Sequence, residues 1–180
     1  AASGIGKLRV SKIPNVEGIF KPHLNINLDQ AVSSKECPFF VGRYLRSVQN
    51  GESPQWLRNR LNSIGLNPIS ALVDITNYLT FDRARPLHVF DADKLSGGLT
   101  VRRSVEGEKF HALDDKIYEL NEGMIVITDE KEIVSLGGII GGMKSAVSDE
   151  TKNVLLEAAY FDPISICLLY TSDAADEVVR

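Results

Sequence analysis

Cysteine is scarce in this chain. Cys37 and Cys167 lie far apart, and neither has a CxxC partner. That excludes a disulfide-stapled scaffold and a cysteine-type zinc site, and it fits a reducing, cytoplasmic compartment. Histidine is scarce too. His23 and His111 have no partner at ligand spacing, so no metal site is expected. No apolar run reaches 18 residues, which excludes a single helix crossing a bilayer, so no membrane partner is expected. The start, Ala1-Ala2-Ser3-Gly4-Ile5-Gly6, lacks the basic and apolar regions of a secretory signal. It also lacks an initiator methionine, and the expectation is a fragment. Positive charge is not in excess: 20 Lys and Arg stand against 24 Asp and Glu, for a net charge of −4. The chain therefore has no general attraction for nucleic acid, and RNA binding would need a local patch or another part of a larger protein. There is no Gly-x-Ser-x-Gly elbow, and no Cys/His nucleophile pair is suggested by spacing.

What is present is globular. The 180 residues are 43% apolar and 24% charged, enough for one domain with a real core. His23–Leu28 alternates apolar and polar, which predicts a half-buried strand, and Phe39–Val48 predicts a second. A helix follows, with Ser53 as cap, Pro54 in the first turn and Gly65 just past the end. Leu57, Leu61 and Ile64 form its apolar stripe. A second helix is expected to be capped by Asn67 and opened by Pro68. Ile69, Leu72, Val73 and Leu79 would be buried, with Asp74, Asn77 and Tyr78 on another face. From Pro86 the period becomes two. Short runs at 87–90, 99–103, 109–113, 117–120, 124–128, 133–136 and 153–161 are separated by turn signals. Helices first and mostly antiparallel strands second predict an α+β fold.

Few residues could carry chemistry. Gly137-Gly138-Ile139-Ile140-Gly141-Gly142-Met143-Lys144-Ser145 is no Walker A loop, because Met143 separates the glycines from Lys144. It reads either as a tight turn or as a pocket wall whose glycines let the backbone approach a ligand. His88, among apolar neighbours, reads as a satisfied core residue or as a general base or hydrogen-bond donor. Glu157 interrupts the apolar run 154–161. It either faces water or is buried, and a buried carboxylate needs a polar partner or a ligand. Asp74, Thr76 and Asn77 read as polar site groups, or as surface polarity and helix back-bonding. Arg83, Arg85 and Arg102-Arg103 read as phosphate contacts or as solvated surface.

Four blocks carry a resemblance. They are Asn67–Tyr78, Arg85–Asp91, Gly137–Gly142 and Asp149–Ala159. In this order and spacing they resemble the bacterial phenylalanyl-tRNA synthetase beta subunit family, in its B3/B4 editing domain. The resemblance implies a B3/B4-like α+β fold over residues 23–166, with 1–22 the tail of a preceding module. It implies an aminoacyl-tRNA synthetase subunit whose domain hydrolyses mischarged tyrosyl-tRNA(Phe), since a pocket built for phenylalanine cannot strongly reject one added hydroxyl. By resemblance, His88, Asn77 and Thr76 fall on catalytic positions, and Glu157, Gly138, Gly141 and Ala159 on the editing pocket. The implied partners are the aminoacyl end of tRNA(Phe) and the synthetase alpha subunit, in a heterotetramer. No cofactor is expected here, ATP and magnesium belonging to the holoenzyme. Beyond Ile166 the likeness fails, and 167–180 read as a tail foreign to the family, joined by a sequencing or assembly error. The alternative is a non-catalytic B3/B4-like RNA-binding or structural module.

Overall fold

A computed structural model of the chain describes Gly4, Gly6 and residues 13–166. The tail expected at 167–180 and most of 1–12 lie outside the described residues. In chain order the elements are β1 (Ile26–Leu28), α1 (Gln30–Ser33), β2 (Phe39–Leu45), α2 (Gln55–Ser63), α3 (Ala71–Arg83), β3 (His88–Asp91), β4 (Leu99–Arg103), β5 (Glu108–His111), β6 (Ile117–Leu120), β7 (Ile125–Thr128), β8 (Ile133–Leu136), β9 (Ile140–Gly141) and β10 (Val154–Tyr160).

Two sheets face each other. One has five strands in the order β1-β4-β7-β8-β9, antiparallel except for the parallel β1–β4 pair. The other is an antiparallel trio, β2-β10-β3. Between them lies the main core, where Tyr44, Phe90 and Leu155 of the trio meet Leu99, Val101, Ile125, Ile127 and Val134 of the larger sheet. The reverse face of β7 and β8 buries Val126, Ile133 and Leu136 against Phe110 and Leu120 of the β5–β6 hairpin. Both faces of β7 and β8 are thus covered, so every residue in them is buried. Covered on both faces, they are apolar but for Thr128 and Ser135, rather than alternating in and out as a half-exposed strand would. The α+β class with mostly antiparallel strands is the architecture observed. A two-residue strand, β9, was not expected and lies inside the glycine-rich stretch.

The helices depart from expectation in their caps and faces. α2 does begin after Pro54, and Leu57 and Leu61 are buried, but Ile64 is largely exposed. Ser53 does not cap it. Its hydroxyl donates instead to the Asp74 carboxylate at 2.6 Å. Gly65 follows the helix end in the left-handed region, φ +85°. α3 begins later than expected, with Ser70 rather than Asn67 at its N-terminal boundary. Its fully buried side chains are polar, Asp74 and Thr76, whereas Ile69 is 74% exposed. Asp74 explains the inversion. It accepts from Ser53 and from the Ile69 backbone N–H at 2.8 Å, so it locks the entry of α3 to the start of α2. A carboxylate satisfied this way can be buried where an unpaired one cannot.

Candidate functional site

β10 is the spine of the site. On one side it pairs with β2 along its whole length, and on the other with β3 as far as Glu157↔His88. Directly opposed residues project to the same face of a sheet, so the two side chains stand side by side. The third member of the rung is Gly42 of β2. The α3 helix ends at Ala84, in the left-handed conformation, and the turn carries Arg85-Pro86-Leu87 into β3. Two long-range ties hold β3 beside β10. The buried Asp91 carboxylate accepts from the Thr151 hydroxyl at 2.7 Å, and the Ala92 N–H donates to the Asn153 carbonyl at 2.9 Å.

A cleft of about 190 Å³ opens beside this rung. It is lined by Pro86, Leu87, His88, Ser135, Gly138, Ile139, Ile140, Glu157, Ala159 and Phe161. Glu157 is only 6% exposed, and its Oε2 is sealed from solvent with no hydrogen-bond partner. Burial pushes its carboxyl up to about 7. The half-buried His88 ring packs edge-on against Phe90 with centroids 4.4 Å apart. Burial holds its imidazole down, at about 4, so it is neutral at neutral pH. Cys37, fully buried, is pushed up to about 11 by burial and then by the charge of Glu157, which leaves it a thiol at neutral pH.

The glycine-rich stretch is both a turn and a wall. Gly137, Gly138 and Ile139 connect β8 to β9, with Gly138 at φ +73°, while Gly138, Ile139 and Ile140 line the cleft. Gly141 meets the imidazole directly. A Cβ there would sit 2.3 Å from His88 Cε1 and 2.7 Å from Nε2, so the bare backbone of Gly141 is the seat of the imidazole.

The fold thus brings His88, Glu157, Gly138 and Ala159 to one cleft and sets Gly141 against His88. It does not bring Thr76 and Asn77 to the cleft lining. The Thr76 hydroxyl donates to the Val73 carbonyl at 2.7 Å, a back-bond inside α3. The nearness of Gly42 and Cys37 to Glu157 is not legible in the sequence, where only the pairing of distant strands could point to it. Among the described residues there is no cluster of three His, Cys, Asp or Glu that could hold a metal ion. No helix among them is long and apolar enough to cross a membrane.

Comparison with known proteins agrees with this architecture. The chain is 48% identical over 166 residues to the phenylalanine–tRNA ligase beta subunit of Cereibacter sphaeroides, covering 92% of this chain and 21% of that protein. It is 49% identical over 168 residues to the beta subunit of Ruegeria pomeroyi, covering 93% of this chain and 21% of that protein. The chain therefore spans about a fifth of the length of the curated relatives it matches. In fold it resembles the crystal structure of an N-terminal fragment of the phenylalanyl-tRNA synthetase beta subunit from Pyrococcus horikoshii. That likeness has a TM-score of 0.61 and 17% identity, and covers 91% of this chain and 49% of that one. Residues 36–173 match the family described as the B3/4 domain, and the chain belongs to that family.

Proposed function

We propose that the cleft hydrolyses tyrosine from mischarged tyrosyl-tRNA(Phe), as the editing site of a phenylalanine–tRNA ligase beta subunit working with its alpha subunit. One observation carries this reading. A carboxyl that is almost wholly buried and lacks a hydrogen-bond partner stands beside a neutral imidazole in a small cleft. Leaving such a group unpaired costs about 1–3 kcal/mol or more, which a ligand supplying a donor would recover. The phenol of tyrosine supplies that donor to Glu157, and phenylalanine does not. A site that must pair a buried polar group rejects the analogue lacking its partner far more strongly than an apolar pocket rejects an added hydroxyl. The names of the relatives, which are ligases for phenylalanine, supply the context in which tyrosine is the error to be removed.

His88 is neutral, with a conjugate acid near 4, and so holds a proton weakly at neutral pH. It serves better as an acceptor that orients a water than as a proton store. The water oxygen attacks the ester carbonyl, and the bond from the acyl carbon to the ribose oxygen breaks. The ribose oxygen leaves as a hydroxyl with the water's proton, and tyrosine is released. Gly138 and Ala159 leave the cleft wide enough for the ring, and Gly141 fixes the angle of the imidazole. Thr76 and Asn77 have no assigned contact with the reacting atoms. No step passes through ATP or magnesium.

The test is deacylation of tyrosyl-tRNA(Phe) by the complete synthetase built on the full-length subunit. His88→Ala and Glu157→Ala should each slow hydrolysis by at least tenfold, with phenylalanine charging unchanged. Unchanged hydrolysis in both variants would favour a non-catalytic module and overturn the proposal.

A further inference from the structure

A second hollow adjoins the cleft and plays no part in the chemistry above. It is a groove of about 500 Å³, lined by Phe39, Val41, Arg85, Ala158, Ala159 and Tyr160. The two hollows meet at Ala159, which lines both. The strand register explains why they communicate. β3 leaves β10 after Glu157↔His88, so among the described residues Ala158–Tyr160 pair with β2 alone and no strand lies along their other edge. Side chains alternate across a strand. Glu157 and Ala159 therefore face the cleft. Ala158 and Tyr160 face the other way, beside their register partners Val41 and Phe39. The groove passes around this strand edge, from the cleft to the outer face of the trio sheet.

Its lining is unusual for plain surface. Phe39 is 70% exposed, Val41 63% and Tyr160 50%, a contiguous apolar strip with two aromatic faces. The exposed cation beside it is Arg85, which among the described residues has no hydrogen bond or ion pair. It directly precedes Pro86, Leu87 and His88, which line the cleft. A cationic residue thus precedes the cleft wall in the chain and shares the lining of one groove with two aromatic residues.

We propose that this groove is the nucleoside subsite of the same centre. Tyr160 and Phe39 stack the base of the terminal nucleotide whose ribose ester enters the cleft, and Arg85 pairs with that nucleotide's phosphate. This rests on the editing reading and extends it from the amino acid to the nucleotide that carries it. The chemistry of the lining selects the occupant. A nucleotide needs an aromatic face and a cation at its two ends, with a short covalent link to the cleft. It also gives an acidic chain a local means of holding RNA.

The probes are free L-tyrosine and the amide-linked tyrosyl-adenosine, in which nitrogen replaces the ester oxygen, with and without a 5′-phosphate. Binding to the complete synthetase is measured by calorimetry with the aminoacylation centre blocked by a phenylalanyl-adenylate analogue. The parent should bind the adenosine conjugate more tightly than tyrosine. Tyr160→Ala should remove about tenfold of that advantage, Tyr160→Phe should retain it, and neither should change tyrosine affinity. Arg85→Ala should weaken only the 5′-phosphorylated probe, and should flatten the salt dependence of its binding. If Tyr160→Ala and Arg85→Ala leave all three affinities unchanged, the subsite is refuted. Loss of thermal stability in these variants with affinities intact would refute it equally, by making the groove a seat for another module of the protein. Failure of the parent to bind tyrosine or either conjugate would instead remove the editing reading itself.

Discussion

Glu157 and His88 shift in opposite senses for the same reason, since burial disfavours whichever form is charged. The consequences for stability have opposite sign. Glu157 rises from 4.5 to about 7, so between those values the folded chain binds the extra proton, and stability falls as pH rises through this window. His88 falls from 6.5 to about 4, so there the unfolded chain binds the extra proton, and stability rises with pH. In the parent the two slopes oppose one another over most of the acid range. Of these two slopes, Glu157→Gln keeps only that of His88. Thermal unfolding should show that variant gaining on the parent from pH 4.5 to 7, by up to roughly 3 kcal/mol at about 1.4 kcal/mol per pKa unit. A gap that stays constant with pH would contradict the burial argument. Gly141→Ala places a methyl on the imidazole and should cost about 1–3 kcal/mol while displacing His88. Its check is a denaturant midpoint alongside the NMR shift of the His88 ring. The importance of Glu157 was legible because a carboxylate interrupts an apolar run. That of Gly141 was legible only as one of several glycines, because the ring it seats comes from a strand more than fifty residues earlier.

At the level of elements, the strands were easier to read than the helices. β4, β6 and β8 occupy the expected residues, because short β-rich runs between turn signals leave few alternatives. In α3 the apolar side chains do not mark the buried face. A single satisfied carboxylate, Asp74, sits there instead and joins two helices. Asp74→Ala strands the Ser53 hydroxyl and the Ile69 N–H, and should cost about 2–4 kcal/mol, read from a urea midpoint. Asp82→Ala, which removes a surface pair with Arg83, should cost under about 0.5 kcal/mol. Equal effects would contradict the role given to Asp74. The four sequence blocks that carried the resemblance are brought together by β3–β10 pairing, by the Asp91–Thr151 bond and by α3, which delivers Arg85–Leu87. Periodicity shows each block as a strand or a helix. It does not show which strands pair, and it could not separate the cleft lining from Thr76 and Asn77, which lie two turns or more back along α3.

For the whole molecule, one face of β10 carries Leu155 in the main core and, farther along, Glu157 and Ala159 in the cleft, so packing and recognition share a backbone. The net charge of −4 is compatible with a domain that inspects the end of an RNA rather than wrapping it. The relatives are about five times the length of this stretch. The central claim is that a buried carboxyl reads the phenol. Its most direct measurement is the ratio of kcat/KM for hydrolysis of tyrosyl-tRNA(Phe) to that for phenylalanyl-tRNA(Phe), in the complete synthetase and its Glu157→Leu variant. At a measuring pH of about 8, where the Glu157 carboxyl is mostly charged, a hydrogen bond to it is worth about 1.5–3 kcal/mol, so the ratio should fall by roughly 10- to 150-fold. A ratio that survives the loss of the carboxyl would contradict the account.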